Sequence, residues 1–279
     1  IAAAVSADGS ATFSVPAPTA RPYYLMLDVE TEAGPEQKLL VLIDAPVPPP
    51  AGRAVNIRDL GADPTGAHDS TPAIQKALDA AKGTQETVVL VPPGQFLTTD
   101  TLLVGSHTTL FLEAGAVIRS TADRAKLPPP ASSCSGNLVP LMSLKPGASA
   151  VTIAGLGRLD ANGFALMEKD VAGNCSAAKG WLHRRRVLDS ARGSAAGANG
   201  SHRDVAVRGV TLADSTTWTL AIEDVDGMSV EHVKVLNHKN ATIAKIENDG
   251  LDLVSVRGEN PPSRFPLPSS SAGSQPRVC

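Results

Sequence analysis

The residues from Arg203 to Gly258 repeat themselves, and this repeat restricts the fold more than any other feature of the chain. Val205, Val207, Val210 and Leu212 recur twenty-three positions on as Met228, Val230, Val233 and Val235, and again as Leu251, Leu253 and Val256. Apolar residues two apart have the spacing of a strand, and the skip of three marks a bend between two short strands. A strand–bend–strand unit of this length, repeated with no helical pattern inside it, is the signature of a solenoid, and a solenoid of strands alone is a parallel β-helix. Each coil of such a fold buries its apolar row only by stacking on its neighbours. The third copy opens with an acidic cluster, Glu247-Asn248-Asp249-Gly250-Leu251-Asp252.

Composition agrees with short strands and many turns: aromatics are only 3% of the 279 residues, against 24 glycines and 22 prolines. A net charge of −3, with no large basic block, argues against a nucleic-acid partner. No apolar run approaches the length of about eighteen residues that spans a bilayer, so no membrane partner is expected. The cysteines, Cys134, Cys175 and Cys279, are odd in number. A Cys134–Cys175 disulfide and free thiols both remain open.

Taken in order, residues 1–47 read as a small β domain. Residues 1–7 fit either the tail of a secretion signal or a first strand, and alternation through Ala11, Phe13 and Val15 favours the strand. Tyr23 to Val29 and Leu39 to Ile43 are strand-like, with Gly34-Pro35-Glu36 as the turn between them. A Pro-rich linker spans 48–53. The β-helix is then expected over 54–258. Thr71-Pro72 starts a helix with stripe Ile74, Leu78 and Ala81, ended by Gly83, which reads as the lid over the open end of the solenoid. Val88–Val91 is a buried strand, and residues 96–104, 108–112 and 116–118 continue the pattern. Residues 123–137 and 164–202 leave the coils as long loops, the second carrying His183-Arg184-Arg185-Arg186. Asn174, Asn199 and Asn240 stand in glycosylation sequons. Residues 259–279, rich in Pro and Ser, read as a disordered tail.

Several motifs together resemble one family. Asn56-Ile57-Arg58-Asp59-Leu60-Gly61-Ala62, Asp69-Ser70-Thr71-Pro72-Ala73-Ile74-Gln75, Val91-Pro92-Pro93-Gly94 and Leu110-Phe111-Leu112-Glu113-Ala114-Gly115-Ala116 look like the opening of the polygalacturonase-like glycoside hydrolases of the pectin-lyase fold. The likeness continues through Asp160-Ala161-Asn162-Gly163, Asp214-Ser215-Thr216-Thr217-Trp218 and Asn248-Asp249-Gly250. It implies a right-handed parallel β-helix in a secreted, monomeric enzyme that degrades pectin-type polysaccharide and needs no metal or cofactor. The small domain before it is similar to that of dextranase-like relatives.

The resemblance also places the chemistry. Inverting hydrolysis of a glycosidic bond needs a carboxylic acid to protonate the leaving oxygen and a carboxylate to activate water, roughly 6.5–9.5 Å apart. Asp249 matches the Asp of the family's Asn-x-Asp-Gly motif, Glu247 stands where that motif has Asn, and Asp252 faces away from the core by alternation. Asp249 and Asp252 are thus the candidate catalytic residues. Glu247, Asn248, Trp218 as a stacking platform and Arg185 as a basic contact for an acidic sugar are the candidate substrate-binding residues. The family's later Asp-Asp, Gly-His-Gly and Arg-x-Lys motifs are absent from the sequence, so the chain is expected to be a truncated, nearly inactive form. The step of twenty-three places Asp226 one coil before Asp249, and His107, His202, His232 and His238 lack metal-ligand spacing or an evident partner. The rival readings are a non-catalytic carbohydrate-binding β-helix and a calcium-dependent polysaccharide lyase.

Overall fold

The computed structural model describes residues 3–5, 11–15, 23–31, 34–81, 86–127, 139–166, 185–190, 202–238 and 249–257. They fall into two compact units, Ile1–Pro48 and Pro49–Cys279. In the first unit, Ala3–Val5 pairs antiparallel with Ala11–Phe13, and Tyr23–Thr31 with Gly34–Ile43. Gly34-Pro35-Glu36, expected as the turn, instead opens the second strand of that hairpin. Pairing carried by the apolar residues of Tyr23–Thr31 extends the ladder past the sequence's turn signal.

The second unit is a right-handed parallel β-helix with three rows of strands. Row one runs Arg53–Asn56, Thr87–Val91, Thr108–Leu112, Ser149–Gly155, His202–Arg208 and the later part of Leu220–Glu231. Row two runs Thr65–Asp69, Gly94–Thr98, Ala116–Ser120, Arg158–Asp160, Thr211–Ala213 and Lys234–Leu236. Row three runs Leu102–Val104, Met142–Leu144, Leu188–Ser190, the start of Leu220–Glu231 and Leu251–Arg257. All pairs within the rows are parallel.

Register makes the core. Val89, Leu110, Ile153 and Val207 stack in row one, and Phe96, Ile118, Leu159 and Leu212 in row two. Leu102, Met142, Leu188 and Leu220 do so in row three, and all twelve side chains are fully buried. Burial of each branched side chain contributes roughly 1.5–3 kcal/mol, so every coil adds several such increments. On the last described coil the ladder is only partly covered, at Met228, Val230, Leu251 and Val256.

The bends share a register too. One register position early in row one lies in the left-handed region: His107, Ala150, Asp204 and Gly227 have φ of 56°, 53°, 52° and 78°. The bend out of that row holds Gly155, where an added Cβ would sit 2.0 Å from the Leu112 carbonyl oxygen. Only glycine fits there.

The lid helix is Thr71–Leu78, with Ile74, Ala77 and Leu78 buried, and it stops at Asp79 before the expected Gly83. Asp69 Oδ1 accepts the Thr71 amide at its start. Gln75 closes the free edge of row three: its Nε2 donates to the Leu103 carbonyl (3.0 Å) and its Oε1 accepts the Leu103 amide (2.8 Å). An unpaired strand edge is thereby covered by one side-chain amide.

The third copy of the sequence repeat does not lie where the step of twenty-three puts it. Leu251, Leu253 and Val256 pair with Leu220, Ile222 and Val225, not with Met228, Val230 and Val233. Residues 251–253 are the row-three strand of the same coil whose row one is Met228–Glu231. Rows one and three carry the same two-apart apolar pattern, which is why the sequence confuses them. Asp226 therefore faces Arg257 and is not one coil before Asp249.

Candidate functional site

The corrected register assembles a site on the outer side of row three. Its inward residues alternate with an outward column in which Leu103, Ser143, Asp189, Ala221 and Asp252 are direct partners. Two residues before each inward leucine, at Leu188, Leu220 and Leu251, stand Arg186, Trp218 and Asp249. The stacking of that second column is visible in its contacts. The Arg186 guanidinium lies 4.6 Å over the Trp218 ring, and the Asp249 carbonyl accepts the Thr219 amide at 2.8 Å. Three successive coils thus contribute Arg186 with Asp189, Trp218 with Ala221, and Asp249 with Asp252.

Within this grid Arg186 Nη1 donates to Asp189 Oδ1 at 2.9 Å, both side chains being nearly buried (3% and 11% exposed). Asp189 and Asp252 lie two strand spacings apart, about 9.6 Å between α-carbons, with the buried Ala221 between them. Asp249 is exposed, and Asp252 and Trp218 are half-buried. One face of the half-buried Trp218 ring is covered by Arg186. Glu247 and Asn248 lie outside the described residues, as do all three cysteines and the three sequon asparagines.

Arg185 sits at the edge of the grid but not on its surface. Its side chain is fully buried, and its main chain is pinned to the next coil: its amide donates to Thr216 Oγ1 (2.7 Å) and its carbonyl accepts the Thr216 amide (3.0 Å). Burial pushes the guanidinium down to about 10, with Asp100 opposing.

A second polar cluster lines the corner from row two to row three. Asp214 Oδ1 lies 2.5 Å from His238 Nδ1, and its Oδ2 lies 3.8 Å from Arg158 Nη2. Arg158 Nη2 also meets Asp160 Oδ2 at 3.0 Å, and Arg119 donates to Asn162 Oδ1 at 2.8 Å. Burial pushes the Asp160 carboxyl above the usual carboxylate range; Arg158, the Asn162 amide and Arg119 pull it down, and Asp214 adds to the rise. The sequence reading left His238 without a partner, and this is corrected: Asp214, one coil earlier, holds it. Asp189 and Arg186 were missed as a pair because neither stands in a motif. Among the described residues no group of three or more His, Cys, Asp or Glu side chains is placed to hold a metal ion, and no helix is long and apolar enough to cross a membrane.

Comparison with known proteins bears on the fold. Residues 54–123 match the family profile described as rhamnogalacturonase A/epimerase, pectate lyase-like. No curated protein matches the chain. Among solved structures, a provisionally assigned glycosyl hydrolase from Parabacteroides merdae is 17% identical at a TM-score of 0.54, over 73% of this chain and 84% of that one. The family 28 exopolygalacturonase of Yersinia enterocolitica is 17% identical (TM-score 0.55) over 84% of this chain and 47% of its own. The polygalacturonase of Erwinia carotovora ssp. carotovora is 16% identical (TM-score 0.53), over 77% of this chain and 54% of its own. The chain thus spans about half the length of the polygalacturonases it matches. At these identities the likeness is one of fold.

Proposed function

We propose that the outer side of row three is a polysaccharide-binding groove of the glycoside hydrolase type, with Asp249 and Asp252 as its carboxylates. The observation that carries this reading is the register, which brings an aromatic face, two acidic residues and an Arg–Asp pair from three coils onto one strip. A sugar ring stacks on an aromatic face, and two neighbouring carboxylates can supply an acid and a base from one residue type. An inverting reaction uses two such carboxyl groups with room for a water molecule between them. In that reaction one carboxyl group protonates the leaving glycosidic oxygen. A carboxylate on the opposite face takes a proton from water as its oxygen bonds to the anomeric carbon.

Residues that the family resemblance places on following coils are not in this chain, so binding is expected to exceed turnover. The test is affinity electrophoresis against polygalacturonate and dextran, with a reducing-sugar assay beside it. Retardation by one polymer, lost in Trp218→Ala and Asp249→Ala, is the expected result. No retardation by either polymer removes the groove reading, and rapid release of reducing ends removes the expectation of slow turnover.

A further inference from the structure

Arg185 is fully buried, yet Nε, Nη1 and Nη2 of its guanidinium all lack a hydrogen-bond partner among the described residues. The Nε of the neighbouring Arg186 is also unpartnered. A buried cation left unpaired costs several kcal/mol, and native interiors avoid it by pairing or by binding a counter-ion. The main chain is anchored at this corner, because both main-chain groups of Arg185 are bonded to Thr216 on the next coil. Asp100 supplies attraction without a hydrogen bond, and its turn is solvent-exposed. The segment of the next coil to which Arg185 is bonded is polar and buried: Ser215, Thr216, Thr217 and Thr219 are all at most 5% exposed.

We propose that Arg185 is the receptor of a buried anion site that binds one small oxyanion, a carboxylate or a sulfate-type group, at the corner leading into row three. A guanidinium offers its donors in a planar fork that matches two oxygens of such a group, and the fork here is empty of competing acceptors. Full burial favours a free ion over a group carried on a polymer, because a chain could reach Arg185 only if the corner opened. The downward shift of the guanidinium fits the same missing partner, since a bound anion would oppose it. This site does not depend on the groove: it is defined by Arg185 and stands or falls without any polymer binding.

The test is thermal unfolding of the full chain in sulfate, in acetate and in trigalacturonate, each matched in ionic strength with chloride, for the wild type, Arg185→Met and Arg185→Lys. Expected is a saturable rise in wild-type Tm of about 5–10 °C at a hundred-fold excess over Kd. The rise is absent in Arg185→Met and diminished in Arg185→Lys. Arg185→Met should also melt higher than wild type in chloride alone, because it removes an unpaired buried charge. Similar responses to acetate and trigalacturonate per carboxylate support a free ion, whereas a response to trigalacturonate at far lower concentration supports the same receptor with the carboxylate supplied by a sugar. The proposal is overturned if no anion gives a saturable shift beyond that of Arg185→Met, since sulfate also stabilises proteins generally by exclusion. It is equally overturned if Arg185→Met fails to fold or melts lower in chloride, because Arg185 then has a partner within the protein.

Discussion

The Arg186–Asp189 pair lets stability and function be separated in one experiment. The two groups meet at 2.9 Å with side chains only 3% and 11% exposed, so neither is a surface ion pair, for which about 0–1 kcal/mol would be expected. Removing one partner leaves the other charged and buried. Asp189→Leu or Arg186→Met alone should therefore cost about 3–5 kcal/mol. For a unit of this size each kcal/mol lowers Tm by about 2–4 °C, so each single variant should melt roughly 6–20 °C below wild type. The double variant removes both charges and fills the space with apolar groups. It should return to within about 1 kcal/mol of wild type, a coupling energy well above the error of urea unfolding at constant m. If the pair is kept because it faces a sugar against Trp218, the stable double variant should still lose retardation in polysaccharide gels. A cost below about 1 kcal/mol for either single change would show that the pair is not buried as described. A double variant no more stable than the worse single would show that the two residues are not coupled.

Two further results are expected. With the three native cysteines replaced by serine, Ala221→Cys with Asp252→Cys should oxidise readily to a disulfide, because these are direct partners about 4.8 Å apart at the α-carbon. Ser229→Cys with Asp252→Cys, the pair that a step of twenty-three would align, should not, and the reverse outcome would remove the register on which the site depends. His202 gives a pH signature: its ring is 2% exposed with Nδ1 unpartnered, and burial pushes the imidazole below its ordinary value, with the Ala148 carbonyl and Asp224 opposing. The unfolded chain then takes up the proton first, so stability is full above about pH 6.5 and falls as pH drops through that value. His202→Gln should flatten this slope in melts between pH 7 and 5, and parallel wild-type and variant slopes would count against it.

Much of the fold was legible because it is written locally. Val88–Val91, Leu110–Leu112 and Ile118 alternate or cluster as strands should, turn residues punctuate them, and the lid helix carries its proline in the first turn. The site was less legible. Row three is built from strands of only three residues at Leu102–Val104, Met142–Leu144 and Leu188–Ser190, too short to show any period. The segments between rows two and three differ in length from coil to coil, from the few residues at 214–219 to the longer stretches at 121–141, 161–187 and 237–250. Their lengths do not alter the register, since a loop can leave and return at the same strand spacing.

Spacing along the chain therefore carries little information about which residues of row three face one another, and stacking carries nearly all of it. Asp249 follows Trp218 by a different count than Trp218 follows Arg186, yet the three occupy one column. The true interval of twenty-three, seen between Val207 and Val230 and between Leu212 and Val235, arises because the coil between them is short. Extending it to Leu253 moved a whole strand from row three to row one. Asp189 and Asp252 consequently share one column with Ala221 between them, an alignment that no sequence motif shows. Any chemistry of this groove has to be sought along the columns of the coil rather than along the sequence.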